Sequence, residues 1–151
     1  MGTHISGGVI PANPRGPAIT SITFTAGGTG ANGTETTLFT VTGAVLVLNI
    51  TAYVTTDLTE SAGTPTLSLG INNDVAIFIA ATTATALDAG ELWVDTAPDA
   101  NVIALPAVMK DILVEENISC TVAGTNNISA GVISFSVSWT PISSDGNVAA
   151  A

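Results

Sequence analysis

The sequence predicts an all-β fold, an antiparallel β-sandwich of jelly-roll or Greek-key type with about eight or nine strands. Three observations carry this. Ile133, Phe135, Val137 and Trp139 alternate with Ser134, Ser136 and Ser138 between Gly131 and Pro141, the period of a half-buried strand. Ala44 to Thr56 is the longest candidate. Its even positions Leu46, Leu48, Ile50, Ala52 and Val54 are apolar, while its odd positions Val45, Val47, Asn49, Thr51 and Tyr53 are mixed. Clusters of Gly, Asn and Asp separate the apolar segments, and little of the chain reads as helix.

The elements follow in order. Residues 1–18 hold Gly7, Gly8, Pro11, Pro14, Gly16 and Pro17 and are expected to form an extended N-terminal arm, because proline at this density interrupts helices and ladders. A β-sandwich domain is expected over 19–142. Ile19, Ile22 and Phe24 mark a first strand, and Glu35–Thr42 a second, after the Gly-rich turn at residues 26–33. The long third strand would span about 40 Å if unbroken, and strands of that length often bend at a bulge. From it, Leu46, Leu48 and Ile50 are expected in one core with Phe135, Val137 and Trp139. Thr66–Ile71 and Val75–Ala80 flank the turn Asn72-Asn73-Asp74. Ala84–Ala89 is the one segment that reads as helical. Glu91–Asp95, Asp111–Glu115 and Ile118–Ala123 read as short strands, and residues 143–151 as a polar C-terminal tail.

Composition bounds the function. The chain has 151 residues, 46% of them hydrophobic and 9% charged, and its mean hydropathy is +0.55. Charge-driven disorder is excluded. No apolar run approaches the ~20 residues of a membrane-crossing helix. The start, Met1-Gly2-Thr3-His4, does not read as a secretory signal. Arg15 and Lys110 are the sole cations against 12 acidic residues, for a net charge of -10. Binding to nucleic acid or to an anionic membrane is not expected, because both need clustered Lys and Arg. Such a chain must cover its surface with hydroxyls or with partners, and it holds 23 threonines.

The residues offer little chemistry. One histidine, His4, and one cysteine, Cys120, leave no multi-ligand zinc site and no conventional triad. Cys120 shares a strand face with Ile118 and Val122 and is expected to be buried and inert. The acidic pairs Asp88/Glu91, Asp95/Asp99 and Glu115/Glu116 read as solvated loop charges rather than a glycosidase pair. Asp95 and Asp99 are the loop carboxylates with calcium-ligand chemistry, but without the spacing of an EF-hand. Gly27-Gly28-Thr29-Gly30 lacks the lysine and the helix of a phosphate loop. No enzyme activity, cofactor or metal is expected.

Four segments carry a resemblance: Glu35–Gly43, Ala80–Ala84, Gly90–Asp95 and Trp139–Gly146. Over roughly residues 34–147 the chain resembles small structural proteins of tailed-phage heads, capsid decoration (cement) proteins in particular. The resemblance implies a β-sandwich or jelly-roll protomer, commonly a homotrimer, on the outside of the virion shell. It implies the major capsid protein or another virion component as partner, with the protein bridging capsomers. It transfers no residue roles. From the residues themselves, Ile5, Val9, Ile10 and Arg15 of the arm are the candidate partner-binding positions. The alternative of a different class is a carbohydrate-binding β-sandwich of a tail, fibre or cell-surface assembly, with Tyr53 or Trp93 as its exposed aromatic.

Overall fold

The computed structural model describes residues 14–151. Nine strands run in chain order: β1 (Arg15–Thr23), β2 (Glu35–Thr42), β3 (Val45–Glu60), β4 (Pro65–Ile71), β5 (Asp74–Thr83), β6 (Ile112–Val114), β7 (Ile118–Gly124), β8 (Ile128–Pro141) and β9 (Asn147–Ala150). Their pairing is nested and antiparallel: β1 with β8, β2 with β7, β3 with β6, β4 with β5. A long hairpin rolled on itself gives this pattern, and two further pairs, β3–β8 and β4–β7, close it into two sheets. The sheets have the orders β1-β8-β3-β6 and β5-β4-β7-β2-β9. The fold is a jelly-roll sandwich with one added edge strand.

The core lies between the sheets. Phe135, Val137, Ile133 and Trp139 of β8 are buried on the inner face, as their alternation predicts. The long strand β3 departs from its simple alternation. A register shift between Val47 and Asn49 changes which parity points inward. Val45 and Val47 are fully buried before it, and Ile50, Ala52 and Val54 after it. Leu46 and Leu48, expected inside, lie half-buried on the outer face. One extra residue in a strand reverses every side chain on one side of it, so a regular apolar alternation across a bulge misleads. A second irregularity falls opposite Gly131, whose φ is +129°. A Cβ there would stand 2.8 Å from the Leu58 Cα, so glycine admits the close crossing of β8 over β3.

Strand β6 covers only the first residues of the free edge of β3. Single backbone bonds patch the rest. The Val54 N–H donates to the Glu91 carbonyl at 2.9 Å, the Trp93 N–H to Ala52 at 3.0 Å and the Leu58 N–H to Leu87 at 3.1 Å. This pins Trp93 in the core, where its indole N–H donates to the Thr82 hydroxyl at 2.9 Å and its ring meets Phe135 edge-on at 6.4 Å. Residues 91–95 are therefore not a strand as expected. Leu92 makes isolated bridges to Tyr53 and Asp99. Ala84–Ala86 is a single 3-10 turn inside the segment that reads as helical.

Both ends of the expected domain shift. The arm boundary expected at residue 18 falls inside β1, because Arg15 already pairs with Trp139. The expected tail contains β9, which pairs along β2 from Phe39↔Ala150 to Thr42↔Asn147 and buries Val148. The turn into β9 is held by Ser143, whose hydroxyl accepts the Ala44 N–H at 2.8 Å.

Two stability measurements check the core. Phe135→Ala is expected to cost about 3–5 kcal/mol in urea unfolding, through lost transfer energy and a cavity. Val47→Ala should cost more than Leu46→Ala, although leucine loses more carbon; the opposite order would mean that the bulge is misplaced.

Candidate interaction surface

The outer face of the first sheet is rich in hydroxyls where β1, β8 and β3 meet, while Leu46, Leu48 and Leu113 occupy its β3–β6 end. The cross-strand rows Ile19–Ser136–Thr51 and Ser21–Ser134–Tyr53 place Ser and Thr at its centre. Serine and threonine satisfy the period of the strand while keeping this face wet without charge. Ile19 and Tyr53 stand exposed within these rows, 60% and 45% accessible.

Three acidic residues, Glu35, Glu115 and Glu116, meet elsewhere, at the end of the sandwich where β6 passes into β7. Glu115, Glu116 and Asn117 form that connection, and Asn72-Asn73 form the β4–β5 turn beside it. Both Glu116 carboxylate oxygens are engaged by Asn73: one accepts its backbone N–H at 3.1 Å and the other its side-chain amide. The Asn117 side-chain oxygen accepts the Val41 N–H at 2.9 Å, which ties the connection to β2. These bonds hold a polar cleft of about 460 Å³ lined by Glu35, Asn73, Glu115, Glu116 and Ser119. Ser119 is 2% exposed, and its Oγ has no hydrogen-bond partner among the described residues. Among the described residues no group of three or more His, Cys, Asp or Glu stands ready to hold a metal ion. The cleft is an acceptor-rich surface.

A second cavity of about 460 Å³ shares Glu115 and Glu116 with the first and is apolar, lined by Ala44, Ile71, Leu113 and Ile142. Leu113 is 69% and Ile142 57% exposed. The Ser143 anchor that seats β9 also fixes the neighbouring Ile142 here, whose N–H donates to the Ala44 carbonyl at 2.9 Å. This end of the molecule thus presents apolar side chains against an acidic rim in which Asn73 holds Glu116 in place.

Arg15 is exposed at the start of β1, the outermost strand of the first sheet. It belongs to a strand and not to an arm. Gly16 next to it has φ +98°, and a Cβ there would stand 2.7 Å from the Val137 carbonyl oxygen and 3.0 Å from the Trp139 ring. The root of the N-terminal segment is therefore pressed onto β8, where a side chain would not fit. Ile5, Val9 and Ile10 lie outside the described residues. The sequence singles out the Glu115/Glu116 pair but not its surroundings. Glu35 and Asn73 join it from distant parts of the chain, and the exposure of Leu113 carries no sequence signal at all.

The other singled-out acids serve local structure. The Glu91 carboxylate accepts the Asp88 N–H at 3.0 Å, and the Asp95 carboxylate accepts the Ala97 N–H at 2.7 Å. Asp99 meets Leu92 through backbone bonds. Cys120 is buried, and burial pushes its thiol up to about 12. Among the described residues no helix is long and apolar enough to cross a membrane.

No family model matches the chain, and no curated protein matches its sequence. Among solved structures, the fold is similar to a chain described as the cyanophage Pam1 capsid asymmetric unit. The likeness covers 91% of this chain and 91% of that one, with a TM-score of 0.53 and 17% sequence identity. At that identity the two share a fold.

Two measurements check these environments. The Ser143 hydroxyl donates to Asp145 at 2.6 Å and lowers its carboxyl below the ordinary 3.8. The stabilisation is complete above 3.8 and is lost as pH falls through the lowered folded value. An NMR titration should place Asp145 below 3.8, and Ser143→Ala should move it back up. Cys120 should stay unreactive to a disulfide reagent at pH 8 until the chain is unfolded.

Proposed function

We propose that the protein is a non-enzymatic virion structural protein, a decoration protein bound to the outside of a phage capsid that stabilises the shell by bridging capsomers. The observation that carries this reading is the jelly-roll likeness to the cyanophage Pam1 capsid asymmetric unit over 91% of both chains. The surface agrees with it. A chain with 9% charged residues exposes Leu113 and Ile142 beside Glu115 and the Asn73-bound Glu116, which is the chemistry of a contact that another protein covers. The mechanism is mass action: a protein that binds the assembled shell and not its separated parts adds its binding free energy to the stability of the shell. The partners are other copies of the chain, as a homotrimer, and the major capsid protein. The alternative, a carbohydrate-binding β-sandwich, retains Tyr53 as its exposed aromatic, since Trp93 is fully buried.

The test is location. In a density gradient of particles from the phage that encodes it, the protein is expected to co-migrate with DNase-resistant heads and to be reached by antibody on intact particles. Heads stripped of it should release their DNA at lower temperature and recover when the purified protein is added back. A protein found only in the soluble fraction, or one retained by immobilised glycans through Tyr53, would set this reading aside.

A further inference from the structure

The second sheet buries polar groups on its outer face. On β7, Ile118, Cys120 and Val122 point into the core, so Ser119 and Thr121 lie on the opposite face. An outer face is ordinarily wet, yet Ser119 is 2% exposed. The cause is local. Ser119 pairs with Gly70 of β4, and the first residues of β5 cross directly over that glycine. A Cβ at Gly70 would strike the Asp74 carbonyl oxygen and the Val75 backbone, so glycine admits the crossing. Neither the Ser119 Oγ nor the Thr121 Oγ1 has a hydrogen-bond partner among the described residues. Buried hydroxyls are nearly always bonded, and one left unpaired lowers stability by its lost hydration.

The polar cleft that Ser119 lines shows which chemistry satisfies it. Across β2, Thr37 is the partner of Ser119 and Glu35 the partner of Thr121, which puts Glu35 on the same face. Glu115 and Glu116 close the cleft from the β6–β7 connection. Asn73 already holds Glu116, so that carboxylate is oriented before anything binds. The charged side chains of the cleft are acceptors, and the buried hydroxyl can accept as well. A donor-rich cation matches them, and a volume of about 460 Å³ suits one the size of a side chain. The arginine guanidinium fits best, because its planar fork spreads several N–H donors over several acceptors. A second copy is a poor source. The chain has 2 cations against 12 acidic residues, so copies repel one another at an acidic cleft.

We propose that the cleft is a receptor for an arginine side chain of a different protein: Glu35, Glu115 and Glu116 engage the guanidinium, and the buried Ser119 hydroxyl accepts one of its N–H groups. The apolar cavity of Leu113 and Ile142 shares Glu115 and Glu116 with the cleft, so the recognised segment carries an apolar side chain beside its arginine. The proposal rests on the reading of the protein as one that binds another virion component, and it names the chemistry by which that component is recognised.

An NMR titration of the full chain with the peptide acetyl-Leu-Arg-Leu-amide tests it, with binding to heads measured separately. The peptide is expected to shift the amide signals of Glu35, Glu115 and Ser119. Its citrulline counterpart, of the same shape without the charge, should bind at least about tenfold more weakly. Ser119→Ala is the decisive variant. It should weaken peptide binding about tenfold while the melting temperature holds or rises, because it removes an unpaired buried hydroxyl. A serine with a merely structural role would instead lower the melting temperature and leave binding alone. Glu35→Gln alters an exposed side chain and should weaken binding at an unchanged melting temperature. Absence of shifts, equal binding of the citrulline peptide, or a response of these amides to calcium chloride or spermidine but not to the arginine peptide overturns the proposal. So does self-association of the wild type that Glu35→Gln abolishes, which assigns the cleft to a second copy. If both variants bind heads like the wild type, the proposal falls and the virion reading stands. If the wild type ignores heads but takes the peptide as expected, the arginine receptor stands and the virion reading falls.

Discussion

The pairing of β3 with β8 is the constraint on which the rest of the sandwich depends. These are the two longest strands, and they run together from Val45↔Pro141 to Glu60↔Ile128. Each other strand of the first sheet hangs on one of them, β1 on β8 and β6 on β3. Their inner faces supply Ile50, Ala52, Val54, Ile133, Phe135 and Val137, all fully buried. Burying side chains of this size stabilises by roughly 1.5–3 kcal/mol each, so a slip of one register position would forfeit more than a domain's net stability. The bulges are what let two strands of this length stay paired. Without the shift at Val47/Asn49, Val45 and Val47 would lie outside and two leucines would have to fit inside.

The same pair explains how a remote surface is positioned. Trp139 is the common neighbour of Arg15 and Val47, so the register that packs the core also sets the level of Arg15 on the outer edge. Val45 pairs with both Pro141 and Val114, which places the β8–β9 turn and the acidic β6–β7 connection at one end. Ser143 then locks Ile142 onto Ala44, and Asn73 locks Glu116. The candidate surface is a consequence of strand registry, fixed by buried contacts and read out at the rim.

This shows which features a single sequence makes legible. β8 was legible because its alternation is unbroken and its two faces differ in chemistry, large apolar against serine. β3 was legible as a strand, but its inward parity was not: all of Leu46, Val47, Leu48 and Val45 are apolar, so hydropathy does not mark where the parity changes. β9 has one buried side chain, Val148, and a two-residue alternation leaves too short a signal to distinguish from a tail. The segment at Trp93 looked like a strand because its aromatic is core, yet its backbone bonds are isolated patches on β3. The candidate surface was not read from the sequence, which takes Glu115/Glu116 as solvated loop charges and puts partner binding on Ile5, Val9, Ile10 and Arg15. Glu115-Glu116 stand together in sequence, while Glu35, Asn73, Ser119 and Ile142 join them through pairings that depend on long-range topology.

An open sandwich has four sheet edges, and each is a template for unwanted strand addition. Here β6 is 3 residues long and β9 is 4, too short to recruit a partner strand. β5 packs beside the loop that carries Pro106 and Val108, which share a cavity wall with Ile77 and Phe78. β1 is the long exposed edge, and its start is broken by Gly16 and Pro17 with a register shift between Arg15 and Ala18. Proline removes a donor from that edge, and the shift turns the strand away from a straight template. Backbone pairing between copies is therefore blunted where Arg15 stands. Any contact made at that corner has to be built from side chains, and the strongest directional group that β1 offers there is the Arg15 guanidinium.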